Sequence, residues 1–232
     1  YPQARNLFKQ AAEKDPEFAA AYAMSANTYS LELAIAGTIP TLEMRADCLQ
    51  DANTALGIAS EDAFVLSKCC HPVAYICQQF DRGALLAERA LTLNPNLAAC
   101  WTSRGWISLM QSEPARALES FVHTMRLSPL DPMRPFLFSG MALGYFFLGR
   151  YEEGRRTAKE ILQLFPHIQS FGSYIVNCVA AGDLAEAQNA AMQLLKFDPG
   201  FRVSRASATF PTRSPEMRDQ IDNALRAAGV PE

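Results

Sequence analysis

A short motif that recurs along the chain constrains the fold more than any other feature. A small residue is followed by a small or apolar residue four positions later, by another three positions after that, and usually by a proline five further on. Spacings of four and three place these residues on one helical face, where small side chains let a neighbouring helix approach closely. Proline disfavours helical geometry at the preceding residue, so each copy predicts a helix that ends just before its proline. The copies are Ala4, Phe8, Ala11 and Pro16; Gly83, Ala87, Ala90 and Pro95; Ala117, Phe121, Thr124 and Pro129; Gly154, Ala158, Ile161 and Pro166; Ala187, Ala191, Leu194 and Pro199; and a degenerate copy, Cys48, Ala52, Ala55 and Ser60.

A more apolar segment precedes most of these helices. Three such segments are Ala19–Leu31, Ala98–Met110 and Phe136–Leu148, each carrying aromatic and small residues at helical spacing. Short polar turns, such as Gln111-Ser112-Glu113, join each segment to the motif helix that follows. The repeating unit is therefore a pair of helices, which we call the first helix and the second helix.

The prolines give the length of the repeat. Pro95 and Pro129 are 34 residues apart, Pro166 follows after 37 and Pro199 after 33, against roughly 34 for a tetratricopeptide (TPR) repeat. In length and residue pattern the units resemble the TPR family. The resemblance implies an all-α fold: a right-handed α-solenoid of TPR-like helix-turn-helix repeats with a C-terminal capping helix. HEAT or Sel1-like helical pairs are the alternative.

We expect residues 1–232 to form one such solenoid. A partial repeat covers 1–16, and full repeats cover 17–60, 61–95, 96–129, 132–166 and 167–199, followed by a cap at 200–232. The repeat at 17–60 departs from the pattern because Glu32–Asp47 adds about ten residues to the usual length. The chain also opens on a second helix, Ala4–Lys14, without a first helix before it, so an apolar face of this helix is expected to be uncovered. Either the chain is a fragment of a longer protein, or another element covers that face.

A closer resemblance lies in residues 127–154, 201–205 and 215–232. These segments are similar to the TPR regions that follow the catalytic domain of bacterial class III adenylate/guanylate cyclases, or that follow winged-helix regulators. The resemblance implies an interaction module of a larger bacterial signalling protein such as an adenylate cyclase. It implies no cyclase activity, since none of the metal-binding or nucleotide-binding residues maps onto this chain. A stand-alone adaptor is the alternative.

Composition excludes several classes of partner and location. The net charge of −3, from 21 basic and 24 acidic residues, provides no basic stripe for nucleic acid. The longest apolar stretch, Phe136–Gly149, is too short to span a bilayer, and Tyr1–Lys14 mixes acid and base unlike a secretory signal. Cys69 and Cys70 are adjacent among only six cysteines, which suits free thiols in a reducing compartment. We therefore expect a cytoplasmic protein.

The first helices carry the predicted binding site. In TPR arrays they line the concave side, and the corresponding positions here form a mostly apolar groove that predicts a protein or peptide partner. The Lys/Asn/Arg set that clamps a C-terminal carboxylate in chaperone-binding TPRs is largely missing, with only Asn27 and Lys68 suitably placed. The alternative is that Trp106, Phe136 and Phe146 are buried between layers. The uncovered first segment and the apolar groove also favour self-association. The groove residues are Asn27, Leu31, Phe64, Lys68, His71, Thr102, Trp106, Met110, Phe136, Ser139, Leu143 and Phe146.

No residue pattern indicates catalysis, a cofactor or a metal. Cys69, Cys70, His71 and Cys77 have metal-like composition, but they lack the paired spacing of a zinc site and are typical of small buried side chains. His71, His123 and His167 fall in no HExxH, nucleophile-elbow or P-loop context. We predict that the chain is not an enzyme. The alternative from that class is an all-helical toroid enzyme, which can gather acids from distant turns.

Overall fold

The computed structural model describes residues 1–37 and 39–232, apart from the side chains of residues 36, 207 and 208. The described residues form thirteen α-helices and no β-strand, which confirms the all-α prediction. Even-numbered helices are first helices and odd-numbered helices are second helices. They are α1 Pro2–Lys14, α2 Ala19–Ala36, α3 Leu42–Ile58, α4 Ala63–Tyr75, α5 Phe80–Leu93, α6 Ala98–Met110, α7 Pro114–Leu127, α8 Arg134–Phe147, α9 Tyr151–Leu164, α10 Ile168–Ala180, α11 Leu184–Phe197, α12 Val203–Thr209 and α13 Pro215–Ala227.

Three second helices end in the same way, at the residue before a proline. Asp15, Asn94 and Asp198 close α1, α5 and α11 in extended conformations, as expected ahead of proline. Each side chain then accepts a hydrogen bond from the backbone N–H two residues further on, at 3.0–3.1 Å. The recurring Asp-Pro or Asn-Pro pair therefore both ends the helix and forms the turn that follows it.

The motif residues form the buried face of the second helices. In α3, α5, α7, α9 and α11, all three motif positions before the terminator are buried, such as Gly154, Ala158 and Ile161 in α9. Helix α1 differs, because Ala4, Phe8 and Ala11 are only half-buried and Ala12 is its one buried residue. This face of α1 has less cover than the equivalent faces further along the chain.

The extra residues of the repeat at 17–60 lengthen both of its helices. Helix α2 has 18 residues and α3 has 17, against 13 and 14 in the pair α4 and α5. Gly37 ends α2 in a left-handed conformation, with φ of 60°, and Thr41 starts α3 by accepting the Met44 N–H at 3.1 Å. Thr38, within the predicted insertion, lies outside the described residues.

The helices fall into two compact units. Unit 1 comprises residues 1–107 with 126–128, and unit 2 comprises 108–125 with 129–232. In unit 1, α2 packs on α4, and in unit 2, α8 packs on α10. Second helices of the described chain pack on first helices instead of packing closely on one another. Within each unit the first helices therefore form the more tightly packed side.

The last helix packs back onto earlier elements of unit 2. Helix α13 contacts α10 and α12 and buries Met217, Ile221, Ala224 and Leu225 against them. The backbone N–H of Val203, at the start of α12, donates to the Pro231 carbonyl at 2.8 Å. The C-terminal segment is thus an integral part of the unit 2 core.

Candidate functional site

The first-helix face of unit 1 is accessible. Asn27 and Leu31 of α2 and Lys68 and His71 of α4 are half-buried, and Phe64 is 42% exposed. Helix α6 adjoins the same surface, since Cys100 and Ser103 of α6 contact the Cys70 thiol of α4. The accessible predicted residues of this face, which we call the unit 1 face, are Asn27, Leu31, Phe64, Lys68, His71 and Thr102.

Two polar side chains, Asn27 and Lys68, distinguish the unit 1 face. Neither the Asn27 amide nor the Lys68 ammonium makes a hydrogen bond or an ion pair among the described residues. Lys68 Nζ lies 5.4 Å from the centroid of the Phe64 ring, a cation–π distance. By contrast, the acidic Glu32 on α2 is paired with Arg5. The unit 1 face therefore offers a cation beside an exposed aromatic ring on α4, and an amide on the adjacent helix α2.

The remaining polar groups of the unit 1 face are less available. Burial lowers the pKa of His71 to about 4, so its imidazole is neutral near pH 7 and packs against the Tyr75 ring at 5.0 Å. The Thr102 hydroxyl donates to the Ala98 carbonyl at 3.4 Å. Trp106 is only 7% exposed and contributes packing.

Sequence reasoning did not propose Trp101 and Arg104 of α6 as site residues, and the structure places them against α5 and the segment after it. The Arg104 guanidinium lies 5.1 Å from the centroid of the Trp101 ring and donates to Glu88 Oε1 at 2.6 Å. Trp101 Nε1 donates to the Pro95 carbonyl at 2.8 Å, which fixes the indole at the start of α6. The sequence signal for the contact between Trp101 and Arg104 is their spacing of three residues, which places both side chains on the same face of a helix.

The corresponding face of unit 2 is buried. Phe136, Ser139, Leu143, Phe146 and Met110 are all 7% exposed or less. These predicted groove residues therefore contribute to the interior of the unit as the structure stands.

An aromatic cluster around His167 accounts for part of that burial. The His167 ring lies 4.7 Å from the Phe136 ring, and its Nε2 atom is 3.2 Å from Ser139 Oγ. Its Nδ1 atom is 2.9 Å from the Phe165 carbonyl oxygen. Burial lowers the pKa of His167, so a neutral ring donates at Nδ1 and accepts at Nε2. Phe136 and Ser139 thus connect α8 to the start of α10.

The C-terminal segment covers a further part of the same face. The Arg213 N–H donates to the Met110 carbonyl, at the end of α6, at 2.7 Å. The Phe210 ring stacks on that of Phe147, at the end of α8, with centroids 6.2 Å apart and planes inclined by 18°. Residues 210–213 therefore cross the ends of two first helices before α13 packs on a third. The chain's own C-terminal segment occupies the first-helix side of unit 2.

Three acidic residues of unit 1, Glu13, Asp47 and Asp51, line a cleft of about 360 Å³ between α1, α2 and α3. Ser25 Oγ donates to Asp51 Oδ2 at 2.6 Å, while Lys9 Nζ lies 3.8 Å from Asp47 Oδ2. Burial raises the pKa of Asp51 and the Ser25 hydrogen bond opposes that rise. These carboxylates connect three helices, which is a structural role.

Cys69, Cys70, His71 and Cys77, the residues with metal-like composition, do not form a group of metal ligands in the described part of the chain. Among the described residues, no three His, Cys, Asp or Glu side chains are grouped as metal ligands. The Cys69 and Cys70 thiols are buried and contact the carbonyls of Ala52 and Ser67, whereas Cys77 is half-buried near the Arg45 carbonyl. All six thiols are free. No described helix is long and apolar enough to cross a membrane.

Solved structures share this arrangement of helix pairs. PilF of Pseudomonas aeruginosa superimposes with a TM-score of 0.60 over 86% of this chain and 85% of its own, at 23% identity. YrrB, described as a TPR protein with an unusual peptide-binding site, gives 0.53 over 83% and 93% at 16% identity. A thermophilic TPR protein of Thermus thermophilus gives 0.61 over 80% and 98% at 16% identity. The chain has the TPR fold.

Those comparisons confirm the predicted helix-turn-helix solenoid class. No protein-family model matches the sequence, and no curated protein is similar enough to count as a relative. At 16–23% identity the likeness establishes the fold.

Proposed function

We propose that the chain is a non-catalytic interaction module whose unit 1 face binds an extended segment of another polypeptide. The observation that carries the proposal is the Lys68 ammonium, which lies beside the exposed Phe64 ring and makes no hydrogen bond or ion pair among the described residues, with the half-buried Asn27 amide on the adjacent helix α2. A peptide-binding surface combines polar groups that have no hydrogen-bond partner with apolar side chains. The ligand forms hydrogen bonds or ion pairs with the polar groups, while the apolar contacts provide most of the affinity.

The chemistry of the unit 1 face defines the ligand class. Lys68 pairs with a carboxylate, and the Asn27 amide can both donate to and accept from a peptide backbone. Phe64 and Leu31 provide apolar contacts. Because His71 is neutral near pH 7, it adds no second charge to this face. The preferred ligand is an extended segment that combines one acidic side chain or terminus with apolar side chains.

The fold supports this proposal by analogy. YrrB, which shares the fold, is described as having an unusual peptide-binding site. In unit 2 the equivalent side is covered by the chain's own residues 210–213 and by α13. We therefore assign the ligand to unit 1.

We further propose that this module serves a larger bacterial signalling protein, such as an adenylate cyclase, in the cytoplasm. That context rests on the resemblance of residues 127–154, 201–205 and 215–232, and on the six free thiols. An intact mass of the native protein close to 25.6 kDa would instead favour a stand-alone adaptor.

Peptide selection tests the proposal. Random peptides displayed on phage are selected against the folded chain, synthesised, and measured by fluorescence anisotropy against Lys68→Glu and Phe64→Ser. Each substitution is expected to weaken binding about tenfold or more, since losing one central contact costs about 1–2 kcal/mol. Binding of acidic peptides should suffer most from Lys68→Glu, because the charge is reversed.

The matched control is Leu85→Ser on α5, a second helix, where the side chain is 71% exposed. This change removes an equally prominent apolar side chain from a surface that the proposal does not use. Selected peptides that bind both unit 1 variants at full strength, but lose affinity for Leu85→Ser, would contradict the proposed site.

A further inference from the structure

Cys77 differs from the other five cysteines in its exposure. It is half-buried, whereas Cys48, Cys69, Cys70, Cys100 and Cys178 are buried. It follows the last turn of α4, where its N–H donates to the Pro72 carbonyl at 3.2 Å. The next residue, Gln78, has a φ of 56°, a left-handed conformation that turns the chain towards α5. A thiol at this turn is reachable by a small solute.

The Cys77 thiol faces a second thiol on a neighbouring helix. Its Sγ atom is 3.7 Å from the carbonyl oxygen of Arg45, which lies one helical turn before Cys48 on α3, and each of the two thiols shifts the pKa of the other. Cys48 is fully buried and contacts the Ala26 carbonyl at 3.8 Å. The pair therefore consists of one thiol that solvent can reach, Cys77, and one that is buried, Cys48.

Two guanidinium groups lie close to this pair. Arg45 donates to the Ile76 carbonyl, one residue before Cys77. Arg82 is held nearby by Gln79 Oε1 at 3.1 Å and Asn53 Oδ1 at 2.6 Å. The neighbouring Cys48 thiol, followed by the two cations, lowers the pKa of Cys77, whereas Cys77 together with burial raises the pKa of Cys48. Of the two thiols, Cys77 therefore loses its proton more readily.

We propose that Cys77 is a peroxide-reactive thiol and that Cys48 resolves it, so that the pair forms a reversible disulfide under oxidising conditions. The Cys77 thiolate attacks one oxygen of hydrogen peroxide, which breaks the O–O bond, oxidises the sulfur to sulfenic acid and releases hydroxide. The Cys48 sulfur then attacks the sulfenic sulfur, and the departing hydroxyl leaves as water with the Cys48 proton. Reactive, partly exposed thiolates with a resolving partner are the group most prone to this oxidation.

The product would join α3 to the turn between α4 and α5. That link lies within unit 1, beside the helix that carries Phe64, Lys68 and His71. The inference does not depend on the proposed peptide binding, because it rests on the two sulfurs and their surroundings.

A second thiol pair in the same unit is the internal comparison. Cys70 and Cys100 likewise shift each other's pKa, but both are fully buried. In both pairs two thiols are neighbours, but only the Cys48–Cys77 pair includes a thiol that solvent can reach. Oxidation of the folded chain should therefore discriminate between them.

The test treats the folded, reduced chain with a small excess of hydrogen peroxide, then alkylates the remaining thiols and maps them by mass spectrometry. We expect a Cys48–Cys77 linked peptide, a mass about 2 Da lower before alkylation, and full reversal by dithiothreitol. Cys70 and Cys100 should remain alkylatable. In Cys48→Ser, dimedone should trap a sulfenic acid on Cys77, and in Cys77→Ser the peroxide-dependent loss of thiols should disappear.

Circular dichroism of Cys48→Ser and Cys77→Ser, together with Cys70 and Cys100 that stay reduced in both variants, shows whether these variants are folded. The proposal is overturned if peroxide leaves Cys77 reduced in the folded wild-type chain. It is equally overturned if Cys77 is oxidised but Cys48→Ser accumulates no more sulfenic acid than the wild type, because Cys48 would then play no resolving part.

Discussion

Aspartate in place of Leu225 is expected to release helix α13 from unit 2. Leu225 is 1% exposed and lies on the face of α13 that packs on α10 and α12. Replacing a buried leucine with a smaller side chain costs about 2–5 kcal/mol, and burying an unpaired carboxylate adds to that cost. An isolated helix of 13 residues is marginal in water, so α13 should unfold once it is released.

Limited proteolysis with trypsin measures the release. Arg213, Arg218 and Arg226 are exposed, yet cleavage there requires local unfolding of the docked segment. Cleavage of Leu225→Asp at these sites should be at least about tenfold faster than in the wild type, which corresponds to more than 1.4 kcal/mol of opening free energy. Gln220→Asp is the matched control, because it adds the same charge at an exposed position of α13. Equal cleavage rates for the two variants would mean that α13 is not held by its apolar face.

Alanine in place of Gly83 is expected to lower the free energy of unfolding by about 2–4 kcal/mol, in the range of overpacking and backbone shifts. A Cβ atom at this position of α5 would lie 2.6 Å from Ala74 Cβ and 2.7 Å from the Cys70 carbonyl oxygen. Both neighbours belong to α4, and one of them is backbone. The clash can be relieved only by separating the two helices, which pack closely in unit 1.

Gly57 provides the control for that substitution. It lies in α3, and a Cβ atom there would meet nothing within 4 Å. Gly57→Ala should be neutral or stabilise by up to about 1 kcal/mol, since alanine favours helix and restricts the unfolded chain. Urea unfolding of both variants gives the two values. A Gly83→Ala variant as stable as Gly57→Ala would show that the small motif residue does not set the distance between α4 and α5.

The sequence was most informative where a physical constraint acts locally. Spacings of four and three mark the buried faces of α3, α5, α7, α9 and α11, because small residues there are required for close helix packing. Prolines mark the ends of helices, since their effect is confined to the neighbouring residue. The longer helices of the repeat at 17–60 could not be assigned in the same way, as an insertion leaves open whether it forms a loop or extends the helices.

The candidate site was harder to predict because it depends on contacts between distant segments. The pattern placed Leu31 and Phe64 in the same class as Phe136 and Phe146, yet the first two are accessible and the last two are buried. Part of the cover in unit 2 comes from residues about one hundred positions away, as in the Arg213–Met110 hydrogen bond. Helical periodicity shows that a residue lies on the apolar face of its helix, but it does not show which distant segment of the chain covers that face.

The pairing of Cys48 with Cys77 was likewise beyond the sequence. Their spacing fits no known thiol motif, and proximity arises only when α4 packs on α3. The adjacent Cys69 and Cys70 were interpreted from the sequence as small buried side chains, and both are buried in the structure. Access to solvent distinguishes the cysteines, and access is a property of the fold.

Photo-crosslinking from the unit 1 face tests the central claim most directly. Benzoylphenylalanine is placed at position 64, at position 85 and at position 146 in separate samples, each mixed with a peptide selected on the wild-type chain and irradiated. We expect the peptide to be crosslinked from position 64 on α4, and not from position 85 on the second helix α5 or from position 146 in unit 2. Crosslinking from position 85 or 146 without crosslinking from position 64 would show that the polypeptide binds elsewhere, and the proposed function of the unit 1 face would be wrong.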